Sequence, residues 1–210
     1  MIKILLVDDH ALVRQGLVKL LRDEIDIEVI AEADSYRQVF MVMKTLSPDV
    51  IVLDISMPGK DGLELLKELK QYYPQIRVLI LSMHPEDRFA VRAIKAGAVG
   101  YLTKESASTD LVNAIRVVHT HGKHITPSLT DRLLNSFDNS QNKPEHERLS
   151  DRELQVLNLI AKGSKIKAIA DELSLSPATI ATYRVRVLEK MNLKSNVDLA
   201  NYATRHNLVD

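Results

Sequence analysis

An α/β domain built on a parallel sheet, followed by a smaller all-helical domain, is the fold class the sequence predicts, and three observations predict it. Short apolar runs alternate with helix-period stretches through the first half of the chain. That pattern fades into a polar stretch after His121, and past Leu149 only helical periodicity remains.

Five apolar runs read as strands: IKILLV at Ile2–Val7, then residues 27–31, 50–53, 78–81 and 99–102. The first, third and fourth are almost continuously apolar, as strands covered on both faces must be. This implies a parallel sheet with right-handed crossovers and helices on either side. Ligand groups in such sheets lie outside the carboxyl ends of the strands. Residues 122–147, with NSFDNSQNKPEHE, read as a linker, although Leu129, Leu133 and Leu134 stand at helical spacing and allow a short helix over 126–137.

In the last part, Ser150 and Glu153 spell a capping box before LQVLNLIA, and Gly163 can stop that helix. A second helix is expected over 166–173. Ser176 as N-cap with Pro177 at the first helical position opens a third, to about Met191, and a fourth spans roughly 197–206. Two short helices joined by a tight turn, the second more basic, form a helix-turn-helix pattern. The expected domains are therefore 1–121, a linker over 122–147, and 148–210.

The 210 residues are 45% hydrophobic and 27% charged, ordinary for a globular protein. Zero cysteines excludes disulfides, thiolate metal sites and cysteine catalysis. No signal-peptide layout and no apolar stretch near the ~20 residues of a membrane span are visible, so a cytoplasmic protein with no membrane partner is expected. The 28 basic and 28 acidic residues balance overall, but residues 162–194 hold 7 Lys and Arg against 3 Asp and Glu. That local excess suits a polyanion.

Three carboxylates fall at predicted strand ends: Asp8 and Asp9 after the first, Asp54 after the third. Two like charges ~4 Å apart repel by roughly 4 kcal/mol near a protein surface. The economical reason to gather them is a hard dication, and Mg2+ fits oxygen ligands better than zinc does. Asp54 then reads as a nucleophile toward phosphorus, giving an aspartyl phosphate. Ser82, ending the fourth strand, is placed to bond a phosphoryl oxygen, and Lys104, after the fifth, to offer a positive charge. Tyr101 lies between them, able to move with Ser82. No glycine-rich nucleotide loop is present, so the phosphoryl donor is external. A haloacid-dehalogenase-like hydrolase would need a second acid where Ser56 stands, which argues against an enzyme. His119, His121 and His124 match no zinc spacing.

Taken together, VDDH, DISMPGKDGLELL, LSMH and KAGAVGYLTKESA resemble the receiver domain of two-component response regulators, whose sheet is flavodoxin-like with strand order 2-1-3-4-5. LSDRELQVLNLIAKGSKIKAIADELSLSPATIATYRVRVLEKMNLKS resembles the LuxR-type helix-turn-helix. Both together resemble the NarL/FixJ class, and SPATIATYR leans toward a GacA-like subgroup. The resemblance implies that Asp54 accepts phosphate from a sensor histidine kinase. It implies that Asp8, Asp9, Asp54 and the Ser56 backbone carbonyl hold Mg2+, that Lys104 contacts the acyl phosphate, and that Ser82 and Tyr101 form a switch pair. It further implies a transcription regulator that binds promoter DNA as a dimer through its fourth helix, at Val197, Leu199, Ala200 and Ala203. Control independent of phosphorylation is the alternative. One departure is Glu105 after Lys104, where many receivers have a proline after a cis bond; without proline, cis costs about 3 kcal/mol.

On a helical wheel, Ile180, Val187, Leu188 and Met191 make the core stripe of the third helix, while Ala178, Thr182, Val185 and Glu189 face outward. LuxR-type domains often place Lys where Ala181 stands and His where Tyr183 stands, so base readout follows other pairings here. Thr179, Thr182, Val185 and Arg186 are expected among the DNA-binding residues, with Thr182 and Val185 suited to thymine methyls and Arg186, on the flank, to a guanine or a phosphate. Readout partly by DNA shape is expected as well. Lys165, Lys167, Lys190 and Lys194 are expected at phosphates, and Arg184 lies toward the core side.

Overall fold

The structure is a computed structural model, describing residues 1–55, 57, 62–83, 86–138, 144–173, 175–206 and 208–209, with the backbone alone at 86–88, 135–138 and 151. Ser56 and His84 therefore lie outside the described residues. The chain divides into two compact units, Met1–Phe137 and Asp138–Asp210.

In the first unit, β1 (Ile2–Val7), β2 (Ile27–Ala33), β3 (Val50–Asp54), β4 (Arg77–Ser82) and β5 (Gly100–Thr103) form one sheet in the order β2-β1-β3-β4-β5. All four pairings are parallel. Between and after them run α1 (Ala11–Arg22), α2 (Tyr36–Met43), α3 (Gly62–Tyr72), α4 (Glu86–Lys95) and α5 (Ala107–His121). Strand side chains alternate between faces. Ile4, Leu6, Val50, Val52, Leu79 and Leu81 pack in one core with Leu17 and Leu21 of α1 and Leu111, Ile115 and Val118 of α5. The alternate residues, Leu5, Val7, Ile51, Leu53, Val78 and Ile80, are equally buried. Right-handed crossovers in this order put α1 and α5 on one face and α2 to α4 on the other. Burial on both faces is why these strands read as apolar runs.

The stretch 122–147 is not structureless. α6 (Pro127–Asp138) uses Leu129, which is buried, and a 3-10 turn spans Glu145–Arg148. The break between the units falls inside this stretch, at Phe137 and Asp138.

The second unit holds α7 (Asp151–Ala161), α8 (Ile166–Glu172), α9 (Pro177–Lys190) and α10 (Asn196–Arg205). The capping box forms as its residues require: Ser150 Oγ accepts from the Glu153 amide, and Glu153 Oε2 accepts from the Ser150 amide at 2.8 Å. Gly163, with φ of 84°, ends α7 in the left-handed region. Ser176 and Ser195 cap α9 and α10 in turn.

Candidate functional site

Strand register explains why residues distant in sequence meet. Val7 pairs with Leu53, Asp54 with Leu81, and Ser82 with Thr103. In a parallel sheet Asp8, Asp54, Ser82 and Lys104 therefore leave the same edge, with Asp9 beside Asp8. Gly62 lets α3 start against this edge, because a Cβ there would sit 2.4 Å from Ile55 Cα and 2.7 Å from the Asp54 carbonyl oxygen. No larger residue allows that approach.

Asp8 and Asp54 are buried, at 2% and 1% exposure, as are Ser82 and Tyr101. Lys104 Nζ lies 2.7 Å from Asp54 Oδ2 and 2.7 Å from Asp8 Oδ2, bridging two carboxylates that would otherwise repel. Burial alone pulls the ammonium down, but the charge and hydrogen bond of Asp54, and then those of Asp8, outweigh it and hold Lys104 above the ordinary lysine range. The Lys104 amide donates to the Ser82 carbonyl at 2.7 Å, tying the lysine loop to the end of β4. No described peptide bond is cis, so the Lys104–Glu105 bond is trans, as Glu105 requires.

Carboxylate oxygens of Asp8, Asp9 and Asp54 and a ring nitrogen of His10 fall within 4.8 Å of one another. Asp9 Oδ1 is shielded from solvent and accepts no hydrogen bond. His10 Nδ1 stands 3.1 Å from it, within ion-pair distance, but not aligned as a donor. Three carboxylates against one ammonium leave two negative charges, which matches a dication. The residues present thus fit a magnesium-type site, oxygen-rich and without thiolates.

Sequence reasoning did not find Arg14. From α1 its Nη1 donates to the Asp8 carbonyl at 2.6 Å and its Nε to Glu32 Oε2 at 2.9 Å, fixing the backbone from which Asp8 projects. A cation one helical turn beyond an acidic pair was the available signal. Arg116 was missed as well: it links α5 to Asp26 and Glu24.

In the second unit, α9 presents Ala178, Thr182, Val185 and Glu189 to solvent, with Arg186 beside them, and buries Ile180, Val187 and Met191. Leu188 is half-buried and Thr179 partly so. Lys165, Lys167 and Lys194 are exposed. Arg184 bonds Asn196 Oδ1 at 2.6 Å, which ties α9 to α10 and gives the guanidinium a polar partner instead of a burial site.

One expectation is corrected. Leu199 and Ala203 are fully buried inside this unit, so they belong to its core and not to a dimer surface; Val197 and Ala200 stay on the outer side of α10, Val197 68% exposed. Lys190, expected at a phosphate, is exposed and donates to Glu153 Oε2 at 2.7 Å. Glu153 is nearly inaccessible, and its position at the capping box gives the ammonium a fixed partner.

Desolvation pushes the Glu153 carboxyl up, but hydrogen bonds from Lys190 and Ser150 prevail and hold it below the ordinary 4.5. Its contribution is therefore present above pH 4.5 and lost as the pH falls through the lower folded value. Glu153→Ala is expected to destabilise the second unit by about 1–2 kcal/mol at pH 7. Thermal melts at pH 7 and near pH 3 check this, and the gap between wild type and variant should close in acid.

A family description of the response regulator receiver domain matches residues 4–116, and one of bacterial regulatory proteins of the luxR family matches residues 147–203. Response regulator GacA of Pseudomonas aeruginosa is 40% identical over 211 residues, covering 100% of this chain and 99% of that protein. Response regulator UvrY of Escherichia coli is 35% identical over 209 residues, covering 99% and 96%. Among solved structures, RcsB of Salmonella enterica serovar Typhimurium, bound to promoter rprA in the presence of phosphomimetic BeF3-, is similar with a TM-score of 0.63 and 26% identity, covering 97% of this chain and 99% of that one. Among the described residues no helix is long and apolar enough to cross a membrane.

Proposed function

The chain belongs to the response regulators that join a receiver domain to a luxR-family DNA-binding domain, and from that premise we propose that Asp54 is its phosphoacceptor and that phosphoryl-Asp54 controls DNA binding by residues 148–210. It is a two-component response regulator that acts as a DNA-binding transcription factor. The single observation that carries the proposal is the buried triangle of Asp54, Asp8 and Lys104, with Lys104 Nζ 2.7 Å from both carboxylates.

A sensor histidine kinase is the proposed donor. An Asp54 carboxylate oxygen attacks phosphorus, the bond from phosphorus to the donor histidine nitrogen breaks, and that nitrogen leaves with the bonding pair and takes up a proton. Asp8, Asp9 and Asp54 would hold Mg2+, which supplies positive charge against the phosphoryl oxygens when bound. Lys104 transfers its hydrogen bond from Asp54 to a phosphoryl oxygen, and Ser82 donates to another. With Ser82 drawn inward and the Lys104 amide already tied to its carbonyl, Tyr101 repacks and the face formed by α4 and β5 changes.

The DNA-binding face comprises α9 with Thr179, Thr182, Val185 and Arg186, and the phosphate-positioning lysines Lys165, Lys167 and Lys194. A homodimer forms on inverted half-sites through the outer side of α10, at Val197 and Ala200. The protein works in the cytoplasm and catalyses no reaction beyond its own phosphoryl transfer and dephosphorylation.

Gel filtration and DNA titration of the full chain, with and without beryllofluoride plus Mg2+, test this. Tighter DNA binding and a shift toward dimer are expected. DNA binding that beryllofluoride leaves unchanged, with no shift in elution, would favour control independent of phosphorylation.

A further inference from the structure

The exposed stripe of α9 offers methyl groups where a base-reading helix ordinarily offers hydrogen-bond donors. Ala178, Thr182 and Val185 follow one another at helical spacing and are all exposed, with Val185 at 47% among the exposed large hydrophobic residues. The Thr182 hydroxyl donates to the Ala178 carbonyl at 3.0 Å, so its hydrogen is engaged within the helix. What Thr182 keeps for a ligand is a methyl group and an acceptor oxygen. The Thr179 hydroxyl lies within hydrogen-bond distance of Ser176 Oγ, at 2.8 Å. Ala178, Thr179 and Thr182, with Tyr183 and Arg186, line a shallow recess of about 300 Å3. Arg186, exposed and lining the same recess, sets a positive charge beside the stripe.

The major groove carries one apolar group, the C5-methyl of thymine. A methyl stripe beside one guanidinium matches it, since no other base edge in that groove offers an apolar group. Glu189 extends the stripe by one turn but only accepts hydrogen bonds, which confines the apolar contact to the stretch from Ala178 to Val185, whose first turns lie in the part that docking of this motif sets against the bases.

Resting on the DNA-binding reading above, we infer that Val185 and the methyl of Thr182 read thymine methyl groups, so that each half-site is recognised through methyl contact and not through donors at those positions. Arg186 holds the helix in the groove.

The test uses the full chain with beryllofluoride and Mg2+, and a DNA fragment selected by it from a random library. Each thymine is replaced singly by deoxyuridine, which keeps every hydrogen-bonding group and removes only the methyl. One or two positions per half-site should lose about fourfold in affinity, the worth of one buried methyl, and the others should not change. Thr182→Ser keeps the hydroxyl that bonds Ala178 and deletes the methyl, while Val185→Ala shortens the other contact. Each variant should abolish the deoxyuridine penalty at its own position and keep the penalty at the other's, and a thermal melt matching the wild type shows that it is folded. Full affinity for fragments with every thymine replaced, or penalties unchanged in both variants, overturns the inference and leaves the DNA-binding reading intact. Selection of no fragment at all overturns both.

Discussion

Asp54→Asn is expected to take up no phosphoryl group from acetyl phosphate with Mg2+, so that incorporated label falls to background. Its affinity for selected DNA should stay at the unphosphorylated value whether or not the donor is present. The amide has the size of the carboxylate it replaces, but it lacks the anionic oxygen that attacks phosphorus. The effect is all-or-none when Asp54 is the sole acceptor, because an amide cannot form the acyl phosphate. The fold should survive, since Lys104 keeps Asp8 as a partner. Label retained on Asp54→Asn would mean that another side chain accepts the phosphoryl group.

Much of this pocket was legible before any coordinates. Strands buried on both faces must be apolar throughout, so their ends, where acids and Lys104 begin, were marked by the sequence itself. Parallel topology then sends those ends to one edge, and this is why Asp8, Asp54, Ser82 and Lys104 were found together. The wheel of α9 was legible for the same reason: Ile180, Val187 and Met191 repeat at helical spacing and are buried. What failed was choosing by position along a helix instead of by face. Leu199 and Ala203 lie four residues apart, which is the signature of one stripe, and that stripe turns inward. The ion pair of Lys190 was not legible. Its partner, Glu153, stands 37 residues earlier, on another helix, and a surface lysine carries no local mark of a distant carboxylate.

Lys104→Met separates the structural work of this lysine from its role toward the phosphoryl group. Removing the ammonium leaves Asp8 and Asp54 buried without their shared counter-charge, and breaking a buried pair from one side costs about 3–5 kcal/mol. Urea denaturation at pH 7 in the presence of a chelator should show a loss of that size. The pH dependence carries the sign. Folding raises the Lys104 pKa, so its contribution is complete below the ordinary 10.5 and declines as the pH climbs through the higher folded value. Wild type should therefore lose stability in strong alkali, and Lys104→Met should lack that component. Added Mg2+ should stabilise the variant more than the wild type, because a dication among Asp8, Asp9 and Asp54 replaces the missing charge instead of sharing the site with it. Phosphoryl uptake at Asp54 should persist, slowed, while the rise in DNA affinity that follows it should shrink, since Ser82 alone then couples the phosphoryl oxygens to the end of β4. A variant as stable as wild type in chelator at pH 7 would show that solvent, and not Lys104, balances the acidic pocket.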